Sequence, residues 1–173
     1  HYVYLSSTTE TSRKHFKQLA EKIMREFKLG PESLVVEIGS NAGILLKYFQ
    51  EQRVRTLGVE PADNLVLSAR AQGIDTINDF FKEEVAKEII RFKGKVDVVT
   101  ANNVFAHVAD IADVAKNVKL MLKDDGVFCI EVQYFLDALL KLTFDNIYHE
   151  HLSYFTVTPL NEFFKLHGME IFN

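Results

Sequence analysis

The sequence predicts an α/β fold, a Rossmann-like and mostly parallel sheet with helices on both faces. Three observations carry that expectation. The β-branched run Leu34-Val-Val-Glu-Ile38 enters a turn bearing Gly39 and Gly43, and a helical pattern follows. Strand-like and helix-like segments alternate along the rest of the chain, which implies right-handed crossovers and a parallel sheet. Glu60 ends the second strand-like run, about 20 residues beyond the first, where an acid is placed to accept from ribose hydroxyls.

Residues 1–10 are rich in Tyr, Ser and Thr without period and read as a connecting arm; residues 11–173 read as the folded domain. Phe16, Leu19, Ala20, Ile23, Met24 and Phe27 keep helical spacing, and Gly30-Pro31 ends that helix. Strands are expected at 34–38, 54–59, 74–77, 96–101 and 127–132. Helices are expected near 43–51, 63–72, 80–92, 110–122 and 134–142, with Gly73, Gly94 and Gly126 marking their ends or the turns after them. A last helix at 158–166 leads through Gly168 into a sixth strand, Met169-Glu-Ile-Phe172, which the chain end cuts short. With no initiating methionine and that interrupted strand, the sequence reads as one domain excised from a longer protein.

Composition narrows the function classes. The chain has 173 residues, 47% hydrophobic and 25% charged, enough for one domain with a real core. A net charge of −4 without a basic run argues against nucleic acid as a partner. No apolar stretch is long enough to span a bilayer, and no signal-peptide pattern precedes the first strand. The single cysteine, Cys129, sits in the middle of an apolar run and reads as a small buried residue. One cysteine allows neither an internal disulfide nor a multi-cysteine zinc cluster, and a cytoplasmic location is the natural expectation.

In doubly wound sheets, ligands sit outside the carboxyl ends of the strands, where strand order reverses. The residues placed there are Gly39 to Gly43, Glu60, Asn78-Asp79, Ala101-Asn-Asn103 and Glu131-Val-Gln133. Glu37 separates the ligand classes. A carboxylate inside so apolar a strand is costly unless used. A dinucleotide pyrophosphate would repel it, whereas the ammonium and sulfonium of S-adenosylmethionine (SAM) would not. The loop also departs from the G-x-G-x-x-G pattern, with Asn41 where a middle glycine would stand. SAM is therefore the expected cofactor, and an NAD-type dehydrogenase the disfavoured rival.

Other polar residues keep two readings each. Asp79 suits either the adenine amino group or an N-cap for the helix that follows. Asn102 offers a backbone carbonyl to the methionine ammonium, or its amide serves local backbone groups. His107 reads as structural or substrate-lining rather than catalytic. The richest cluster is Tyr148-His-Glu-His151, which suits an acid/base set, a metal pair or an exposed polar loop. Zinc helices carry H-E-x-x-H, which puts both imidazoles on one face. His149 and His151 would share a face only in an extended segment, and no third ligand is near, so no metal site is predicted.

Four motifs together resemble the SAM-dependent sugar C-methyltransferases: Glu37-Ile-Gly-Ser-Asn-x-Gly43, Gly58-Val-Glu-Pro61, Ala101-Asn-Asn-Val-Phe-Ala-His107 and Tyr148-His-Glu-His-Leu-Ser-Tyr154. The resemblance covers nearly the whole chain and is most specific in the last block. It implies a class I methyltransferase fold and C-methylation of a nucleotide-linked keto-deoxysugar. It further implies an N-terminal zinc-type domain joined through Tyr2-Val-Tyr4 and Ser6-Ser7, and a C-terminal domain. SAM contacts are then expected from Glu37, Gly39, Ser40, Asn41, Gly43, Glu60, Pro61, Asp79, Asn102 and Asn103. His151 would be the base, Glu150 and Tyr148 its orienting or enolate-stabilising partners, and Tyr4 a second phenol. One departure is Ala42, where the family usually carries Asp. The alternatives are methylation of another small molecule and a non-catalytic SAM-binding domain.

Overall fold

The computed structural model describes residues 9–172. The expected alternation is present: α1 (Glu10–Glu26), β1 (Leu34–Ile38), α2 (Ile44–Glu51), β2 (Arg55–Val59), α3 (Asp63–Ala71), β3 (Thr76–Ile77), α4 (Glu83–Lys93), β4 (Val96–Asn102), α5 (Ile111–Met121), β5 (Leu122–Glu131), α6 (Phe135–Lys141) and α7 (Val157–Leu166). Two 3-10 turns, Phe105–His107 and Phe144–Asn146, interrupt the later loops.

The five strands form one parallel sheet in the order β3-β2-β1-β4-β5. The chain winds outward from β1 in one direction, then crosses back to β4 and continues the other way. The reversal therefore lies between β1 and β4, and their carboxyl ends open the crevice where such folds bind ligands.

Side-chain alternation splits the core across the sheet. Leu34, Val36 and Ile38 pack on one face with Val85 and Ile89 of α4, and Val114, Val118 and Met121 of α5. Val35 and Val98 pack on the other, with Phe16, Ala20 and Ile23 of α1 and Leu45 and Phe49 of α2. Glu37 follows the phase of Val35 and so belongs to the α1 face. Thr9 opens α1 by accepting from the Ser12 N–H at 3.1 Å.

Three expectations are corrected. Helix α4 starts at Glu83 instead of residue 80, after an extended Lys82. β5 starts at Leu122, directly from α5, and pairs in two pieces: Leu122 with Val96, then Val127 to Glu131 with Val98 to Asn102. The chain between them loops out at Gly126, where a Cβ would meet the Val96 oxygen and the Lys123 nitrogen, each at 2.9 Å. Finally, Met169 to Phe172 forms no strand among the described residues, so the expected sixth strand is absent from the sheet. Its apolar side chains have another use: Met169 packs on the core, and Phe172 meets the Phe27 ring edge-on at 6.2 Å. No helix of the described residues is long and apolar enough to cross a membrane.

Candidate active site

The turn after β1 is built on three left-handed residues, Gly39 (φ +64°), Asn41 (φ +51°) and Gly43 (φ +76°). Asparagine tolerates that region better than most side chains. A Cβ on Gly39 would run into Val104 of the loop after β4, and one on Gly43 would meet Ile74 at 2.9 Å. The Gly39 and Ser40 N–H groups donate to the Val59 carbonyl at 2.8 and 3.2 Å, folding the turn over the end of β2. Asn41 Oδ1 accepts from the Ala42 N–H at 2.8 Å, and Ala42 itself is buried. That position takes a methyl without leaving a buried carboxylate to solvate.

Two acids flank this turn. Glu37 is buried, and its Oε1 accepts from the Asn102 side-chain amide at 3.0 Å. Its Oε2 is buried without a hydrogen-bond partner, as is the Ser40 hydroxyl. Burial pushes the Glu37 carboxyl up to about 8; the Asn102 amide opposes that rise and the nearby Glu60 adds to it. Glu60 is also buried, and both of its oxygens accept backbone N–H groups: Oε2 from Asn41 at 2.9 Å and Oε1 from Ala62 at 3.0 Å. Asn78 donates to the Glu60 and Pro61 carbonyls, each at 3.2 Å, and so locks the turn after β2 to the end of β3.

Asp79 lies partly exposed beyond β3. It accepts from the Phe80 N–H at 2.7 Å and pairs with Lys82 at 2.8 Å, and these contacts hold its carboxyl below the usual range. It caps the segment ahead of α4 rather than the helix itself. Phe80, beside it, is 72% exposed.

The donor set fits SAM. A buried carboxyl oxygen of Glu37 and the buried Ser40 hydroxyl have no partner in the protein, and a second buried acid stands at the end of β2.

Across the crevice, the carboxyl ends of β4 and β5 and a returning loop enclose an open pocket of about 310 Å³, mouth included. Asn103, His107, Gln133, His151, Ser153 and Tyr154 line it. The loop is tied down by main chain: Leu152 and Ser153 N–H groups donate to the Ala106 carbonyl at 2.9 and 3.3 Å, and Phe135 donates to the Phe155 carbonyl at 2.9 Å. A turn closed by His151 N–H on the Tyr148 carbonyl (3.0 Å) brings those two rings to 4.3 Å. His107 lies edge-on to His151 at 4.8 Å, and Tyr154 at 6.2 Å.

The predicted residues thus fall into two groups. Glu37, Gly39, Ser40, Asn41, Gly43, Glu60 and Asn102 gather around the β1 turn, with Pro61 and Asp79 on the flank below β2 and β3. Asn103 goes to the pocket with His107 and His151, its amide held by Glu131 at 2.9 Å. His149 and Glu150 are exposed. Tyr4 lies outside the described residues. Gln133, expected at the ligand end of the fifth strand, lines the pocket; sequence reasoning passed over His15, which reaches Glu131 at 2.6 Å from α1. Among the described residues no group of three or more His, Cys, Asp or Glu is placed to hold a metal ion.

Residues 12–172 match the family model described as a methyltransferase domain. The C-methyltransferase NovU of Streptomyces niveus is 37% identical over 171 residues, covering 99% of this chain and 41% of that protein. The ubiquinone biosynthesis O-methyltransferase of a Methylobacterium species is 26% identical over 105 residues, 58% of this chain and 42% of that protein. The chain thus spans less than half the length of these curated relatives. In fold it is similar to a SAM-dependent methyltransferase from Archaeoglobus fulgidus, with a TM-score of 0.69 at 15% identity over 90% of this chain and 68% of that one.

Proposed function

This chain belongs to the methyltransferase-domain family, and we propose that it is a SAM-dependent enzyme that methylates carbon, beside the ketone of a nucleotide-linked keto-deoxysugar. The single observation that carries this reading is the ring cluster of Tyr148, His151 and His107, packed at 4.3 and 4.8 Å against the open pocket across the crevice from Glu37. Methylating an oxygen or nitrogen lone pair needs little help with protons; methylating carbon needs one removed. An imidazole is suited to that task. The similarity to NovU, a protein named a C-methyltransferase, supports the same reaction class.

SAM, when bound, supplies an electrophilic methyl group on a sulfonium leaving group. Glu37 would take its ammonium together with the Asn102 carbonyl, and the backbone from Gly39 to Gly43 would hold the methionine portion. The outer lone pairs of Glu60 would take the ribose hydroxyls, with Pro61 and Asp79 assigned to the ribose and adenine. On the acceptor side, His151 takes the proton α to the ketone. The Tyr148 phenol, against the His151 ring, is assigned as donor to the enolate oxygen, with Glu150 as an outer orienting group; the resemblance adds Tyr4 as a second phenol. The enolate carbon then takes the methyl, and the proton leaves through the imidazolium. Position and preorganised donors supply the rate enhancement.

The test uses the full-length protein and a nucleotide-linked keto-deoxysugar in heavy water, followed by NMR. The α-proton should exchange even without SAM. His151→Ala should lose exchange and methyl transfer together, by roughly 10²–10⁴-fold, while calorimetric SAM binding persists. Exchange at the normal rate in that variant would place the base elsewhere.

A further inference from the structure

Glu131 and His15 form a contact that SAM binding does not use. Asn102 pairs with Glu131 across β4 and β5, and Cys129, in phase with Glu131, packs against the core of the α1 face. Glu131 therefore projects on the α1 side, at the ligand end of the sheet. There its Oε2 meets His15 Nε2 at 2.6 Å, while its Oε1 accepts from the Asn103 side-chain amide at 2.9 Å. The Asn103 N–H also donates to the Glu131 carbonyl at 2.8 Å, and Asn103 is held in the left-handed region at φ +55°. Asn103 is thus gripped through backbone and side chain by one residue, and that residue is braced from a helix 116 positions away in sequence.

Such bracing is more than the fold requires, because Glu131 is only partly buried and His15 is exposed. What it fixes is the plane of a carboxamide lining the acceptor pocket. With one amide N–H committed to Glu131, the carbonyl Oδ1 is held at the other end of that planar group, as an acceptor. We propose that His15 and Glu131 are positioning residues that orient the Asn103 amide so that its oxygen accepts a hydrogen bond from a hydroxyl of the methyl acceptor. This deepens the keto-sugar reading and rests on it. A sugar carries hydroxyls near the reacting carbon, and one such contact sets which way the ring lies in the pocket.

The test is made in the full-length protein with the keto-deoxysugar nucleotide and with SAM. Glu131→Gln and His15→Asn should each raise KM for the acceptor about tenfold, the worth of one lost oriented hydrogen bond, with kcat changed less. SAM affinity and melting temperature should stay put. His15→Gln returns a donor to the position of the imidazole Nε2, whereas His15→Asn does not, so His15→Gln should recover most of the lost affinity. In ¹⁵N spectra, the Asn103 side-chain amide pair should shift in Glu131→Gln and His15→Asn, and return toward its original position in His15→Gln. The proposal is overturned by an amide signal that ignores all three substitutions, or by an unchanged KM. A protein that turns over no keto sugar at all defeats the functional reading instead, and the amide spectrum still decides the clamp.

Discussion

Asn102 donates its side-chain amide to one oxygen of Glu37 at 3.0 Å and leaves the other oxygen buried and unmatched. The pair spans the reversal of the sheet, from β1 to β4. It explains how a carboxyl group is tolerated inside an apolar strand: one oxygen is satisfied by the Asn102 amide, and burial favours the protonated form. Leaving a buried acceptor unsatisfied costs about 1–3 kcal/mol, which ligand binding can offset.

Proton linkage follows from that arrangement. With its pKa raised from 4.5 to about 8, the Glu37 carboxyl is mostly protonated at pH 7 in the free protein. Holding the SAM ammonium requires the carboxylate, so binding at pH 7 should release about one proton per site. Affinity should rise with pH toward about 8 and fall above it, as the ligand's own α-ammonium, with an ordinary pKa of about 7.7–8.0, gives up its proton. The free protein should show the opposite trend: its folded form holds a proton that the unfolded chain gives up, so stability falls as pH rises from about 4.5 to 8. Calorimetry of SAM binding in buffers of different ionisation enthalpy measures the release directly. In Glu37→Gln the release should vanish and affinity should drop; a full proton released by that variant would exclude Glu37 as its source.

Glu60 is both ligand candidate and brace. Because its two oxygens hold the Asn41 and Ala62 N–H groups, Glu60→Ala should weaken SAM binding at least tenfold and also lower the melting temperature. Each lost hydrogen bond to a charged group is worth about 1.5–3 kcal/mol. Glu60→Gln keeps one acceptor oxygen and should lose less of both. An unchanged SAM affinity in Glu60→Ala would remove the ribose assignment.

The glycine turn gives a purely steric prediction. Gly39→Ala adds a Cβ where Val104 now sits and forces a side chain into a left-handed φ, strain of order 1–3 kcal/mol. Val104→Ala in the same chain should recover the steric part but not the backbone part. Chemical denaturation of the two variants separates them; full recovery would show that the left-handed φ costs nothing here.

Much of this site was legible in the chain because it is local. The apolar run into Gly39 and Gly43 names a strand and its turn, and Glu37 stands out as the one charge within it. What escaped was non-local or carried by the main chain. The start of β5 was hidden because Lys123 to Gly126 reads as a turn, whereas it forms an irregularity within the strand, between two paired stretches. Helix α4 begins late because Asp79 spends its carboxylate on Phe80 and Lys82. The apolar pattern at Met169 to Phe172 predicted a strand, but its side chains pack on the core and on Phe27 without joining the sheet. His15 gave no signal at all, an exposed residue beside the buried Phe16 whose partner lies on β5.

Cys129 provides a check on burial. It faces the α1 side of the sheet, and burial pushes its thiol up to about 11. The thiolate is the reactive form. Alkylation by iodoacetamide at pH 8 should therefore be slow in the folded protein and rapid once denaturant exposes the strand. Fast labelling of the folded protein would mean that β5 opens readily.

The contact between His107 and His151 makes the last prediction. Edge-on at 4.8 Å, His107 fixes one side of the imidazole assigned as base, while Tyr148 at 4.3 Å fixes another. If His107 acts through His151, its removal should misplace the base instead of removing a second one. His107→Ala should then slow α-proton exchange less than His151→Ala does, and the double variant should be no slower than His151→Ala alone. Groups that act as a unit show this non-additivity, whereas independent contributions multiply. Exchange rates of the keto-sugar nucleotide in heavy water, measured for the four proteins with SAM absent, complete the cycle. Rate losses that multiply would give His107 a proton-transfer role of its own.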